Sequence, residues 1–395
     1  MKQQSNDKVP RRRFSNKKLS LATTALTVLF IFSGCKKELM PSPETQSTAA
    51  MNQAQNAAKK TPVIVVHQGT SIQAAVNAAS PGTVIEIEAG AYKEAIVVNK
   101  PNITIVGSQN KNRPVIIQNS GDEDDGITVE DAGDGFVLKD VTVRDFKENG
   151  VVLRHVNGFL LSGVTTLNNG EYGLFPVFST NGVIENCEAS GHSDTGIYVG
   201  QSSNVSISKN EAHDNVNGIE IENCTNVTAE KNHSYHNVVG IMSVLLPGLV
   251  EKHSTNIVIS KNEVEDNNHI NFAHEGELEA AVPSGSGILI VGSDNTLVLD
   301  NKVSGHQFVG IAVVSTLILG SLLNPPLPPE YFADIEPNPD GVSVVGNHLE
   351  NNGYNPPQGL PLPGVDLLWD GSGNNNCWSK NHYTTSFPSS LPACQ

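Results

Sequence analysis

The sequence predicts an all-β fold, a parallel β-helix with coils of about 22 to 23 residues, from two periodic patterns and one strand pattern. The first pattern is a glycine followed by an apolar residue, which recurs at intervals of 24, 23, 23, 22, 22, 47 and 23 residues. The interval of 47 indicates one coil enlarged by insertions. The glycines are Gly126, Gly150, Gly173, Gly196, Gly218, Gly240, Gly287 and Gly310.

The second pattern is a pair of asparagine-rich ladders in register with these glycines. Asparagine tolerates left-handed backbone and bonds its own backbone, so stacked asparagines predict turns repeated on one edge. One ladder contains Asp140, Gly163, Asn186, Asn210, Asn232, Asn262, Asn301, Asn347 and Asn381. The other lies six residues earlier and contains Asn157, Asn204, Asn226, Asn256, Asn295 and Asn375.

Short segments between these turns alternate apolar and polar residues, which is the period of a strand. Three short strands per coil, each pairing with its counterpart in the next coil, make a β-helix. Before the first coil, residues 71–79 read as a capped amphipathic helix, followed by Pro81-Gly82 and a strand. Because a solenoid end exposes unpaired strand and core, this helix is the predicted N-terminal cap.

Several motifs carry a family resemblance. The helix, the segment PGTVIEIEAGAY (81–92) and the following coils resemble the pectate-lyase-like superfamily over residues 62–395. The segments YGLFPV (172–177), DTGIYVGQSSN (194–204) and NGIEIEN (217–223) resemble, more narrowly, an exported bacterial family of parallel β-helix repeat proteins. The resemblance implies a single-stranded right-handed parallel β-helix. It implies no reaction, because members of the narrower family are named by fold.

The N-terminus indicates export. A basic stretch, an apolar run over 19–32 and then Ser33-Gly34-Cys35 define a secretory signal that is too short to span a membrane. Phe-Ser-Gly-Cys resembles the lipobox of bacterial lipoproteins, which implies acylation of Cys35 and anchoring to the outer membrane, facing the periplasm or the cell surface. The predicted domains are a signal peptide (1–34), a flexible tether (35–60) and the β-helix (61–395).

The charge of the chain limits its partners. The formal net charge is −16, and removal of residues 1–34, which hold seven basic residues and one acidic residue, brings it near −22. Such a field repels nucleic acid, and it disfavours a polyanionic glycan unless a cation such as Ca²⁺ mediates contact. The predicted partners are therefore a lipid bilayer, through Cys35, and a polysaccharide; the oligomeric state is left open.

Four cysteines remain after Cys35. Cys377 and Cys394 lie in the last coils, and in an oxidising compartment they are the predicted disulfide that closes the C-terminal end. Cys187 and Cys224 occupy different repeat positions and are predicted to be buried thiols.

The strands that begin with the recurring glycines, called here the Gly-led strands, define a candidate site. The first and third residues after each glycine are predicted to point inward, and the second and fourth outward. Much of the outward set is apolar and therefore needs a cover. Insertions at 245–253, 269–286, 316–340 and 354–363 all adjoin these strands and are expected to rise around this one face.

On this face, the outward positions predict a carbohydrate site. Glu220 and Glu222 lie about 7 Å apart along one strand, a spacing that suits an inverting glycosidase. Asp194 is a possible third acid, Tyr198 a sugar-stacking ring, and Phe175, Gln201 and Asn223 further substrate contacts. The alternative is that both glutamates are merely solvated outward positions.

Metal sites receive weaker support. The acidic turn Asp122–Asp125 could hold Ca²⁺ through oxygen ligands, although a solvated charge run is the better explanation. His192 and His306 align with Asn169, Asn215 and Asn237, which predicts left-handed turn residues rather than metal ligands.

Two function classes follow from the sequence. One is a carbohydrate-active protein, either a glycan binder or a hydrolase, lyase or epimerase. The other is a non-catalytic structural or adhesion module that presents loops. The sequence has neither the Asp-Pro-His motif of mannuronan epimerases nor a clear arginine or lysine for β-elimination, which disfavours the lyase and epimerase readings.

Overall fold

The computed structural model describes residues 61–108, 113–274, 278–323 and 326–395. Within them the chain forms three long parallel sheets of 11, 12 and 10 strands, so the predicted β-helix is confirmed. The predicted signal peptide, the tether and Cys35 lie outside the described residues.

Each complete coil contributes one strand to each sheet. The first sheet, called here the Gly-led sheet, contains all eight recurring glycines. Its strands are β4 (Ile96–Val98), β7 (Asp125–Val129), β10 (Asn149–Arg154), β13 (Tyr172–Val177), β16 (Thr195–Gly200), β19 (Asn217–Glu222), β22 (Val239–Val244), β25 (Ser286–Val291), β28 (Val309–Val314), β31 (Val365–Trp369) and β33 (Ser386–Phe387).

The second sheet follows the Gly-led sheet within each coil. Its strands are β1 (Val63–Val66), β2 (Val84–Ile87), β5 (Thr104–Gly107), β8 (Phe136–Lys139), β11 (Asn157–Ser162), β14 (Thr180–Glu185), β17 (Ser203–Ser208), β20 (Thr225–Glu230), β23 (Thr255–Ser260), β26 (Leu297–Leu299), β29 (Ser343–Val345) and β32 (Cys377–Ser379).

The third sheet closes each coil. Its strands are β3 (Gly90–Lys93), β6 (Val115–Gln118), β9 (Val141–Arg144), β12 (Thr165–Leu167), β15 (Glu188–Ser190), β18 (Glu211–His213), β21 (His233–Tyr235), β24 (Glu263–Glu265), β27 (Lys302–Ser304) and β30 (His348–Glu350).

The core is built from stacked aliphatic side chains. In the Gly-led sheet, Ile219 pairs in register with Ile197 below and Ile241 above, and all three are fully buried. The predicted inward residues all belong to this core, as alternation along a strand requires. They are Val151, Leu153, Ile197, Val199, Ile219, Ile221, Ile288 and Ile290.

Both ends of the solenoid are closed. Helix α1 (Ile72–Ala78) begins at Ser71, whose hydroxyl accepts the Ala74 amide hydrogen at 3.1 Å. The carboxylate of Glu94 accepts the Ile72 amide hydrogen at 2.7 Å, which compensates the start of the helix. Ile72 is fully buried over the first coil. At the other end a disulfide joins Cys377 and Cys394, whose Cα atoms are 4.7 Å apart.

The insertions contain the remaining helices. These are a 3-10 helix (Leu278–Ala281), helix α2 (Leu317–Leu322) and a second 3-10 helix (Pro329–Phe332). No helix among the described residues is long and apolar enough to cross a bilayer.

The first predicted ladder mixes residues from two adjacent positions of the coil. The prediction that all of them are turn residues was therefore wrong. Asp140, Gly163 and Asn186 have positive φ, but in later coils the left-handed residue is the one before the asparagine, such as Lys209 and Lys231. The asparagines from Asn210 to Asn381 instead form an interior ladder. Asn210, for example, donates its backbone N–H to Oδ1 of Asn232 at 3.0 Å.

The prediction for His192 and His306 was wrong for the same reason. Neither residue has positive φ. Both are fully buried in a second interior ladder, where His192 N–H donates to Asn215 Oδ1 at 3.1 Å and His306 N–H donates to Asn352 Oδ1 at 3.2 Å. They satisfy backbone groups between coils rather than turning the chain.

Candidate functional site

The outward residues of the Gly-led sheet stack as predicted. Tyr198 pairs in register with Glu220, and Glu220 with Met242. Two apolar clusters cover this face. One is formed by Val152, Tyr172, Phe175, Val177 and Tyr198, and the other contains Met242, Val244, Leu289, Val291, Ala312 and Val314 with residues of the insertions.

The insertions cover this face as expected, and the alternative that Glu220 and Glu222 are solvated outward positions is wrong. Glu220 is 0% exposed, Glu222 2%, and Tyr198 2%. Phe175 is 4% exposed and its ring stacks on Tyr172 at a centroid distance of 4.3 Å. The physical reason is that the insertions fold down onto the face, because its apolar residues would otherwise be exposed to water.

Three carboxylates converge under this cover. Asp194 precedes β16, Glu220 lies in β19, and Glu279 lies in a 3-10 helix between β24 and β25. The segment between these two strands, predicted as the insertion 269–286, spans residues 266–285 and is called here the insertion 266–285. One ligand oxygen from each lies within 4.8 Å of the others, and all three residues are buried. The Thr195 hydroxyl is 2.9 Å from Asp194 Oδ1 and 2.7 Å from Glu220 Oε2.

The third carboxylate, Glu279, was missed by sequence reasoning. Glu279 has no periodic position because it belongs to an insertion. The available signal was the acidic character of the insertion, where Glu275, Glu277 and Glu279 follow one another at alternate positions. Nothing in the strand pattern predicts which of these acids turns toward the sheet.

Glu222 has a different environment from Glu220. The Tyr198 hydroxyl donates to Glu222 Oε1 at 2.6 Å, across neighbouring coils. This contact requires Gly200, because a Cβ there would lie only 1.9 Å from the Tyr198 hydroxyl oxygen. The fourth position after Gly196 therefore carries no side chain, so that the tyrosine can reach the carboxylate.

Gln201 and Asn223 hold an insertion instead of facing solvent. Gln201 Oε1 accepts the Val250 amide hydrogen at 2.8 Å. Asn223 accepts the Leu246 amide hydrogen at 2.7 Å and donates to the Glu251 carbonyl at 2.7 Å. Both side chains are buried. They fasten the segment 245–254 to the coils, and their role as substrate contacts stays a prediction.

The acidic side chains of the turn at 122–125 have separate partners and do not converge. Asp122 forms an exposed ion pair with Lys147. Asp125 accepts a hydrogen bond from Asn149 Nδ2 at 2.6 Å, and burial raises the pKa of this carboxyl. Among the described residues, the converging group of three acids is the one at Asp194, Glu220 and Glu279.

The two buried thiols are not reactive nucleophiles. Cys187 and Cys224 are free and buried, as predicted. Desolvation raises the pKa of each thiol to about 12, so neither is a thiolate near neutral pH.

An apolar cleft lies farther along the same face. It encloses about 450 Å³, part of which is open to solvent, between the sheet and the insertions around α2 and residues 360–362. Its lining is entirely apolar and includes Leu289, Phe308, Leu319 and Leu368. It therefore offers apolar contact but no acid or base.

Comparisons with known proteins support the handedness and the fold. The family described as right handed beta helix region matches residues 125–268. The A-modules of the Azotobacter vinelandii mannuronan C-5 epimerases AlgE6 and AlgE4 superpose with TM-scores of 0.58 and 0.55, at 15% and 14% identity. Both alignments cover 80% of this chain, with 94% of the AlgE6 module and 92% of the AlgE4 module.

A third similar structure is the DFA-IIIase from Arthrobacter chlorophenolicus A6. Its TM-score is 0.53 at 14% identity, and the alignment covers 78% of each chain. No curated protein sequence matches the chain significantly. At these identities the likeness establishes a right-handed parallel β-helix and leaves the chemistry to the site itself.

Proposed function

We propose that this right-handed parallel β-helix protein, which has the fold of the pectate-lyase-like superfamily, binds or processes a polysaccharide outside the cytoplasm. The observation that carries the proposal is the convergence of Asp194, Glu220 and Glu279 beside an aromatic cluster on one loop-covered sheet face. Similar structures, the mannuronan C-5 epimerases, support the substrate class by their names.

The side chains on this face suit glycan chemistry. Glu220 and Glu222 project from one strand into different surroundings, since Glu220 meets Thr195 and Asn217 whereas Glu222 meets Tyr198. Carboxyl groups kept in different environments can take the separate roles of acid and base in glycosidic bond cleavage. The rings of Phe175 and Tyr198 supply the apolar faces on which sugars stack.

Substrate access requires movement of the cover. Because Glu220 and Tyr198 are buried, a glycan reaches them only if the segments that cover them move away from the sheet. Lids of this kind commonly exclude water from a reacting centre. The strongly negative mature chain favours a neutral glycan, or an anionic glycan bound through a cation.

The burial of the same residues favours a second candidate function. In a structural or adhesion module, Glu220, Tyr198 and Asn223 would serve only to fix the insertions to the coils, and the presented loops would be the working surface. This reading needs no movement of the cover, and the two candidates make opposite predictions for glycan binding.

The experiment is a polysaccharide array followed by product analysis, with residues 36–395 and neutral and acidic glycans. We expect the wild type to retain at least one glycan, and Glu222→Gln to lower turnover more than affinity, because an acid or base works mainly in the transition state. Glu263→Gln, an exposed position on the third sheet, is the matched control. A wild type that neither retains nor alters any glycan contradicts the proposal and favours the structural module.

We also propose that Cys35 is acylated and anchors the chain to the outer membrane. Cys35→Ser should move the protein from the membrane fraction to the soluble fraction and abolish acyl labelling, because the thiol is the attachment point for the lipid. Cell fractionation with immunoblotting measures this, and Cys187→Ser, at a buried thiol, is the control. A Cys35→Ser protein that stays in the membrane fraction would show that something else anchors it.

A further inference from the structure

We propose that the apolar cleft holds one acyl chain of the lipid on Cys35 while the protein is off the membrane, which rests on the acylation of Cys35 proposed above. The cleft encloses about 450 Å³ between the Gly-led sheet, helix α2 and the end of the insertion 266–285. Ligand pockets commonly measure about 300 to 1,000 Å³. Because part of the cleft is open to solvent, a chain can enter it from outside.

The walls of the cleft determine the chemistry of its occupant. The sheet contributes Leu289 and Val314, α2 contributes Leu319, and the loop at 360–362 contributes Leu362. The described lining residues are all apolar, so a polar group inside the cleft would lose its hydrogen bonds to water and gain none. A peptide would bring backbone amides with it, whereas an acyl chain brings only hydrocarbon. The walls therefore select a hydrocarbon chain.

An occupant should also stabilise the fold around the cleft. Leu319 and Leu368, which line the cleft, are only 4% and 1% exposed. An apolar cavity does not retain ordered water, and atoms that border a void lack dispersion contacts on that side. An acyl chain supplies these contacts, so we expect the occupied protein to melt at a higher temperature than the empty one.

The length of chain before the described residues lets the lipid reach the cleft. The described chain begins at Thr61, two residues before β1, whereas Leu289 lies in β25. Strand β26, which follows β25 in the same coil, is nine strands from β1, or about 43 Å at about 4.8 Å per strand. The 25 residues 36–60 extend to about 80 to 90 Å. A chain tethered in this way has a high effective concentration at the cleft, which favours it over a free lipid.

The test compares the acylated protein, transferred from detergent into aqueous buffer, with the Cys35→Ser protein. The probe is cis-parinaric acid, a fatty acid that fluoresces in apolar surroundings. We expect the Cys35→Ser protein to bind one probe per chain. The acylated protein should bind the probe at least tenfold more weakly, because its own acyl chain occupies the cleft. Mass spectrometry of both proteins measures the acylation independently.

Two further variants test the cleft and the tether separately. Ala312→Phe fills the cleft and should abolish probe binding by the Cys35→Ser protein, whereas Ala333→Phe, at an exposed alanine outside the cleft, should not. Deletion of residues 41–58 removes 18 of the 25 residues before Thr61 and leaves seven, which span at most about 25 Å. The acylated short protein should therefore bind the probe as well as the Cys35→Ser protein does. Circular dichroism checks that each variant is folded.

Three results would overturn the proposal. If the Cys35→Ser protein binds no probe, the cleft accepts no acyl chain. If the acylated and the Cys35→Ser proteins bind the probe equally, the lipid lies elsewhere. If the short protein stays blocked, a co-purified lipid occupies the cleft instead. In each case an acylated Cys35 in the mass spectrum still supports the anchor, whereas an unmodified Cys35 contradicts the anchor and this proposal together.

Discussion

At the scale of single residues, the interior asparagines explain both the ladders and the glycines. Asn232 accepts from the backbone N–H and from Nδ2 of Asn210, and it donates to the Ile207 carbonyl at 3.0 Å. Each such side chain forms hydrogen bonds with polar groups of adjacent coils that are not paired within the sheets. The ladder therefore supplies the hydrogen bonds that buried polar groups inside the solenoid would otherwise need from water.

The recurring glycines belong to this arrangement rather than to turns. A Cβ on Gly196 would lie 2.6 Å from Nδ2 of Asn215, and a Cβ on Gly173 would lie 2.8 Å from Nε2 of His192. Neither glycine has positive φ. Each of these glycines leaves room for a residue of the second interior ladder, the one that contains His192 and Asn215.

Substitution by glycine at Lys231 and at Asn232 tests which of the two adjacent positions has the left-handed backbone. Asn232→Gly should lower the free energy of unfolding by at least about 3 kcal/mol, because it leaves several buried polar groups without partners. Lys231→Gly should change it by no more than about 1 kcal/mol, since Lys231 has a φ of 59° and glycine suits that backbone. Urea denaturation of both variants measures this. A mild Asn232→Gly and a severe Lys231→Gly would reverse the assignment.

At the scale of elements, the sequence was sufficient to predict which strand side chains point inward. It was insufficient to predict which outward side chains are exposed to solvent. Alternation and the glycine spacing identified every inward residue of the Gly-led strands, because the strand period is fixed by backbone geometry. The same alternation placed Glu220 and Tyr198 on the outer face correctly. Their burial depends on insertions without periodicity, whose folded path no local pattern encodes.

The pair formed by Tyr198 and Glu222 shows that a buried outward side chain can contribute to stability. The sequence analysis gave Tyr198 the role of a sugar-stacking ring and predicted no partner for its hydroxyl. The structure instead gives the Tyr198 hydroxyl a buried carboxylate partner at 2.6 Å. Hydrogen bonds to charged groups are stronger than neutral ones, and losing the donor leaves part of the charge uncompensated.

Tyr198→Phe should therefore destabilise the protein by about 2 to 3 kcal/mol, even though the ring is retained. Tyr235→Phe, on a less buried strand of the third sheet, is the matched control and should cost less than about 0.5 kcal/mol. Guanidinium denaturation gives both values. Equal small effects would mean that the hydroxyl of Tyr198 is solvated and that the cover is open in solution.

At the scale of the whole molecule, the solenoid joins its coils by repeated contacts and closes its two ends by α1 and by the Cys377–Cys394 disulfide. Stability in such an architecture is distributed over neighbouring coils. A change in the charge of one interior group therefore destabilises its own coil and the coils packed against it. The two interior histidines are the places where pH can make that change.

His192 and His306 should make the protein acid-labile. Burial lowers the pKa of each imidazole from 6.5 to about 4, so both are neutral in the folded protein. The unfolded chain takes up protons below about pH 6.5 whereas the folded chain does so only near pH 4. Stability is therefore complete above pH 6.5 and is lost as the pH falls toward 4, by roughly 2 to 3 kcal/mol per histidine.

The double variant His192→Asn/His306→Asn tests this, because asparagine occupies the same ladder position in neighbouring coils, at Asn169 and Asn215. We expect its free energy of unfolding to fall less than that of the wild type between pH 7 and 4.5, with each single variant removing about half of the difference. His348→Asn, at an exposed histidine, should leave the profile unchanged. Parallel profiles for the double variant and the wild type would mean that the buried imidazoles are already protonated in the folded state.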